Sequence, residues 1–148
     1  MRRKKRNILI LFPTILFSLF VSGQNISISL NNNWQFSLAD IRSDKIQSNI
    51  QWQEINLPHT WNAQDVIDET PGYRRGIAFY RKFILYDRSW DKRKIILHFN
   101  GIAVKAEVYL NNILIKAHLG AYTAFDVDIT DNLLINQPNE LLIKVDNS

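Results

Sequence analysis

The chain has 148 residues, 46% of them hydrophobic and 22% charged, and no cysteine. That is one domain's worth of sequence: an eight-fold β/α barrel needs roughly 250 residues, and a disulfide-stapled miniprotein needs cysteine. The formal net charge of +4 misleads, because five of the 18 basic residues occupy positions 2–6 and the other 13 face 14 acidic residues. A nucleic-acid footprint needs a basic patch on the fold itself. Only Arg74-Arg75 and Lys92-Arg93-Lys94 offer one, and both runs are short. No nucleic-acid partner is expected.

Residues 1–23 read as a secretory signal. Arg2 to Arg6 form a basic start, Ile8 to Val21 an apolar run of 14 residues, and Val21-Ser22-Gly23 a small-residue cleavage site. The run is shorter than the ~20 residues that span a bilayer, so no stable membrane span is expected. An uncleaved anchor is the alternative. Export to the periplasm or the extracellular space follows, with a mature domain over 24–148.

From there the apolar period is two, the signature of half-buried strands. Asn25 to Leu30 alternates, with Ile26, Ile28 and Leu30 on one side, as do Trp34, Phe36 and Leu38. Another strand ends at Leu57, where Pro58 stiffens the turn. Ile77 to Tyr86 is a long strand, with Phe79, Arg81, Phe83 and Leu85 on one face and Tyr80, Lys82, Ile84 and Tyr86 on the other. Lys94 to Phe99 is the next. Val104 to Leu110 and Ile113 to Ala117 flank Asn111-Asn112, a two-residue hairpin turn, since Asn tolerates positive φ. Phe125, Val127 and Ile129 alternate with Asp126, Asp128 and Thr130. The last strand is Glu140 to Asp146. Helical turns are expected only at Asp131 to Ile135, capped by Thr130 or Asp131, and at Asp40 to Gln47, which also reads as a loop. About eight short strands separated by turn signals make an all-β sandwich or barrel.

A series of motifs then carries a resemblance. Trp34-Gln35-Phe36, Leu57-Pro58-His59-Thr60-Trp61-Asn62, Gly76 and Tyr80-Arg81-Lys82-Phe83 come first. Phe99-Asn100-Gly101, Ala106 to Asn111, Gly120 to Phe125, Asp128-Ile129-Thr130 and Asn139 to Asn147 follow in order. The series resembles the N-terminal sugar-binding domain of glycoside hydrolase family 2, the β-galactosidase-like enzymes. The resemblance implies a galactose-binding-domain-like jelly-roll β-sandwich. It implies, as partners, an immunoglobulin-like domain and a β/α barrel that carries the catalytic acid and nucleophile. It also implies that such a domain continues past Val145-Asp146-Asn147 through a further loop and strand. This chain stops at Ser148, so an incomplete C-terminus is expected, with an unpaired edge.

Most motif residues read as builders of the fold. Trp61 is large enough to plug the sandwich edge, His59 suits a hydrogen-bonding corner, and Gly101 and Gly120 supply backbone freedom between strands. Retaining glycoside hydrolysis needs two carboxylates about 5 Å apart, one held protonated. Asp87, Asp91, Glu107, Asp126 and Asp128 fall in turns or on solvent-facing strand positions, so no catalysis by this chain alone is expected. His59, His98 and His118 are too far apart for a short metal motif, and no metal or cofactor is expected.

The long polar stretch from Asn62 to Gly76 is the candidate binding segment. Its carboxylates and guanidinium groups, Asp68, Arg74 and Arg75, suit sugar hydroxyls, and the ring of Tyr73 suits the C–H face of a pyranose. The resemblance implies that a polar residue just before the Tyr-Arg-Lys-Phe strand reaches the barrel's mouth, here about Arg75. The expected ligand is a β-linked glycan. The reading is therefore a sugar-binding domain of an exported retaining β-glycosidase. A free-standing carbohydrate-binding module and a non-functional remnant are the alternatives.

Overall fold

A computed structural model describes residues 25–38, 51–62 and 75–148. The leader, the segment Asp40 to Gln47, and Asp68, Tyr73 and Arg74 lie outside the described residues. Eight strands are present: β1 (Trp34–Ser37), β2 (Gln53–Ile55), β3 (Ile77–Leu85), β4 (Ile96–Phe99), β5 (Lys105–Leu110), β6 (Ile113–Leu119), β7 (Phe125–Asp128) and β8 (Pro138–Asp146). They form a six-stranded sheet in the order β2-β1-β3-β8-β5-β6 and a two-stranded sheet of β4 and β7. Every pairing is antiparallel. The all-β sandwich expected from the period-two pattern is the fold.

The central strands β3, β8 and β5 supply most of the core. Ala78, Tyr80 and Ile84 from β3 meet Leu141, Ile143 and Val145 from β8 and Ala106, Val108 and Leu110 from β5. Alternation puts these on one face because successive side chains of a strand point to opposite sides. Each such aliphatic contributes about 1.5–3 kcal/mol of burial free energy, which matters in a chain without disulfides. Leu97, Phe125 and Val127 of the small sheet pack on part of this face, and the rings of Phe125 and His118 stack at 3.9 Å. Over β1 and β3 the cover is different. There Leu57, His59 and Trp61 lie against Phe36 and Tyr80.

Asn111 and Asn112 both adopt positive φ, 52° and 66°, as a tight hairpin turn between β5 and β6 demands. A register shift at Val108/Tyr109 bends the same hairpin. Gly120 has φ 151°, and a Cβ there would stand 2.8 Å from the Thr123 hydroxyl. Gly101 is needed for room, since its Cβ would meet the Tyr122 backbone at 3.3 Å.

Two expectations are corrected. Asn25 to Leu30 alternates but forms no strand, and residues 25–29 are exposed. Its neighbours use their bonding groups elsewhere: the Leu30 carbonyl accepts from the Trp34 indole at 2.6 Å, and the Asn31 carbonyl accepts from the Leu57 amide at 2.7 Å. Without a partner strand, alternation alone does not make a sheet. The helical turn near Asp131 is a short 3₁₀ turn, Thr130–Asn132, and no side chain caps it. The Thr130 hydroxyl is engaged with the Ile95 amide at 2.9 Å and the Asp128 carboxylate at 2.6 Å.

Candidate functional site

Of the residues singled out for sugar binding, Arg75 is the one within the described residues. It is exposed, and it precedes the first residues of β3. The next residue is fixed: the Gly76 amide donates to the Asn147 side-chain oxygen at 2.8 Å, and the Asn147 amide donates back to the Gly76 carbonyl at 3.2 Å. Arg75 thus projects from a pinned strand start beside the end of β8. Asp146, close by, is held below the ordinary carboxylate range, chiefly by the Ser148 hydroxyl and amide, with Lys105 at 3.6 Å. The other end of the same loop is fixed as well, through the aromatic cover over β1 and β3.

That cover is built from rings. His59 lies 4.5 Å from Phe36, and Trp61 stacks on Phe36 at 6.1 Å with an interplanar angle of 21°. The His59 Nδ1 is 3.1 Å from the Tyr80 hydroxyl. Burial lowers the His59 pKa and raises that of Tyr80, so the ring stays neutral and the phenol stays protonated. A neutral imidazole with its hydrogen on Nε2 can then accept a hydrogen bond from the phenol at Nδ1. His59 is the hydrogen-bonding corner and Trp61 the cover expected from the motif. One residue on, the side-chain oxygen of Asn62 is buried with no partner. A buried orphan acceptor is uncommon and costs stability, so its position at the mouth of the candidate loop is notable. The sequence reading took Asn62 only as part of a motif.

Asp87, Glu107, Asp128 and Asp146 are all held below their ordinary values, Asp87 by the Ser89 amide, Glu107 by the Tyr109 hydroxyl and Asp128 by the Thr130 hydroxyl. A glycosidase acid needs the opposite displacement. Among the described residues no cluster of three His, Asp or Glu side chains could hold a metal ion, and no helix is long and apolar enough to cross a membrane. His98 sits on the outer side of β4, exposed, 2.6 Å from Asp126.

A two-layer all-β domain defines the class: a galactose-binding-like β-sandwich. Residues 73–148 match the family model described as the glycosyl hydrolase 2 galactose-binding domain-like family, and the chain belongs to that family. It is 35% identical to a β-glucuronidase of Bacteroides fragilis over 133 residues, which cover 90% of this chain and 18% of that protein. It is 29% identical to a β-galactosidase of Bacteroides ovatus over 128 residues, covering 80% of this chain and 15% of that one. The solved structure of Bacteroides uniformis β-glucuronidase 2 superposes with a TM-score of 0.72 at 32% identity, over 82% of this chain and 14% of that chain. The chain spans less than a fifth of the length of these proteins. In them this domain sits beside others.

Proposed function

We propose that these residues are the sugar-binding domain of an exported retaining β-glycosidase. It helps to hold a β-linked glycan at the mouth of a neighbouring barrel, with Arg75, Arg74, Tyr73 and Asp68 supplying contacts from the loop between Asn62 and Gly76. The choice among galactoside, glucuronide and mannoside is made in the barrel. The observation that carries the reading is family membership of a sandwich that makes up under a fifth of its hydrolase relatives.

Three measurements test it. The isolated chain is expected to leave p-nitrophenyl β-galactoside and β-glucuronide intact, and turnover would refute the non-catalytic role. DNA adjoining the coding sequence is expected to encode a barrel of the same family, and unrelated sequence on both sides would favour the free-standing module. Export is expected to yield a mature chain starting at Gln24, read by mass spectrometry of the secreted protein; retention of the first 23 residues would overturn cleavage.

A further inference from the structure

The outer face of the six-stranded sheet, away from the core, carries an arginine held more firmly than a surface charge needs. Arg81 of β3 lies opposite Gln35 of β1, and Gln35 lies opposite Glu54 of β2. The Arg81 guanidinium sits 4.1 Å from the ring centre of Trp52 and 5.4 Å from that of Phe83. Its Nε donates to the Gln35 side-chain oxygen at 2.9 Å, and a terminal nitrogen is 3.6 Å from the Glu140 carboxylate. Two rings, one amide and one carboxylate therefore fix a single planar group. A hollow of about 280 Å³ opens beside it, bounded by Asn33, Gln35, Glu54, Arg81, Lys82 and Phe83. That is near the lower end of small-ligand clefts, which run about 300–1,000 Å³. Phe83 is 54% exposed and leaves a flat apolar surface open beside the hollow.

The chemistry of this hollow suits a sugar ring. An exposed aromatic face packs on the C–H side of a pyranose, and side-chain amides and a carboxylate meet its hydroxyls in both donor and acceptor roles. Engagement of the Gln35 oxygen by Arg81 orients that amide and leaves its N–H groups to donate. Charge then selects the kind of sugar. Two cations, Arg81 and Lys82, face two carboxylates, Glu140 and Glu54. The Lys82 ammonium already donates to the Asn32 carbonyl, and the hollow carries no net charge, so a neutral sugar is favoured over a uronate or sulfate. We propose that the Trp52–Arg81–Phe83 hollow is a second carbohydrate subsite, separate from the Asn62–Gly76 loop, that takes a neutral oligosaccharide. It needs no barrel, and it stands or falls apart from the loop reading.

The test is titration of the full chain with cellohexaose, xylohexaose and a β-1,4-galactan hexasaccharide, and with a hexagalacturonate as the acidic probe. Calorimetry gives the affinity, and nuclear magnetic resonance follows the Arg81 Nε–H and the Gln35 side-chain amide. At least one neutral hexasaccharide is expected to bind in the millimolar-to-micromolar range and to move both signals. Phe83→Ala should weaken that binding about tenfold or more, a loss on the order of 1.4 kcal/mol. Phe83→Leu, which keeps apolar bulk but removes the flat ring, should weaken it likewise and keeps the test valid if the alanine variant unfolds. Arg75→Ala should leave the Arg81 and Gln35 signal changes intact. Binding that moves neither signal, survives both Phe83 variants, is stronger for hexagalacturonate, or is absent with all three neutral probes overturns the subsite. Binding lost only in Arg75→Ala overturns it too, while supporting the loop.

Discussion

Two places where the core meets loop residues are closed by opposite means. One is a corner of hydrogen-bonded amides around Asn139, at the start of β8. Its side chain, with no exposed surface, donates to the Leu134 carbonyl at 2.9 Å and to those of Ile84 and Gln137 at 3.4 Å. Its oxygen accepts from the Leu134 amide at 2.7 Å and from Asn111 at 2.9 Å. Asn111 in turn accepts from the Glu140 amide at 3.0 Å. The other place is the cover of His59 and Trp61 over Phe36 and Tyr80, made largely of ring contacts together with the His59–Tyr80 hydrogen bond, and ending at an unpaired Asn62 oxygen. The amide corner satisfies every bonding group on Asn139 and fixes one geometry. The aromatic cover is less directional and leads into the candidate binding loop. Polar networks specify shape, while ring packing leaves room for a loop to be functional.

The largest effect expected in either place follows from removing Asn139. Asn139→Ala strands the Ile84 and Leu134 carbonyls, the Leu134 amide and the Asn111 side chain in a buried site. Loss of about 3 kcal/mol is expected, read as a fall in the urea midpoint. Asn139→Asp should also destabilise, because its carboxylate would face carbonyl oxygens. Full stability in both variants would remove the distinction between the two places.

Trp61→Ala should cost less, about 2 kcal/mol, since the indole is only partly buried. The same variant should speed hydrogen exchange of amides around Phe36 and Tyr80 and leave those of Asn111 and Glu140 slow. Equal acceleration in both places would show that they are not independent units.

The strands were legible because alternation is a local signal: β3, β5, β7 and β8 lie within two residues of where the pattern puts them. The amide corner was not legible. Asn139 follows Pro138 in what reads as a solvated turn, and its burial comes from Ile84 and Asn111, 55 and 28 residues away. Its motif position marked Asn139 as a builder of the fold, without saying what it bonds. Asn25 to Leu30 failed for the converse reason, having a strand's pattern and no partner strand among the described residues. Trp52 and Arg81 escaped notice as a site because cross-strand neighbours are set by register, and register is not written in either strand alone. Arg75 was placed as a candidate by its distance from a recognisable strand.

The two places should also separate by pH. A neutral His59 accepts from Tyr80, and burial holds its pKa below the ordinary 6.5. The unfolded chain therefore takes up the proton first. This contribution is present above about pH 6.5 and is lost as pH falls from there toward the folded-state value. The urea midpoint of the parent protein should drop between pH 7.5 and 5.5 by more than that of His59→Phe. An equal drop in both would assign the sensitivity elsewhere.

The smallest effect belongs to the outer-face trio of Glu107, Tyr109 and Lys144, which serves as a solvent-side reference for both places. The Tyr109 hydroxyl donates to Glu107 at 2.6 Å, and Lys144 donates to the same oxygen at 3.1 Å. The hydroxyl, and after it the lysine, hold the Glu107 carboxyl below its ordinary 4.5. Its contribution is present above about pH 4.5 and is lost as pH falls below that, well separated from the His59 window. The same bond pushes the Tyr109 phenol up to about 12. Glu107→Gln should flatten the acid limb slightly and let Tyr109 ionise closer to 10, followed by tyrosinate absorbance. If the phenol titrates unchanged in that variant, partial burial rather than the carboxylate governs it, and the acid limb should then keep its full slope.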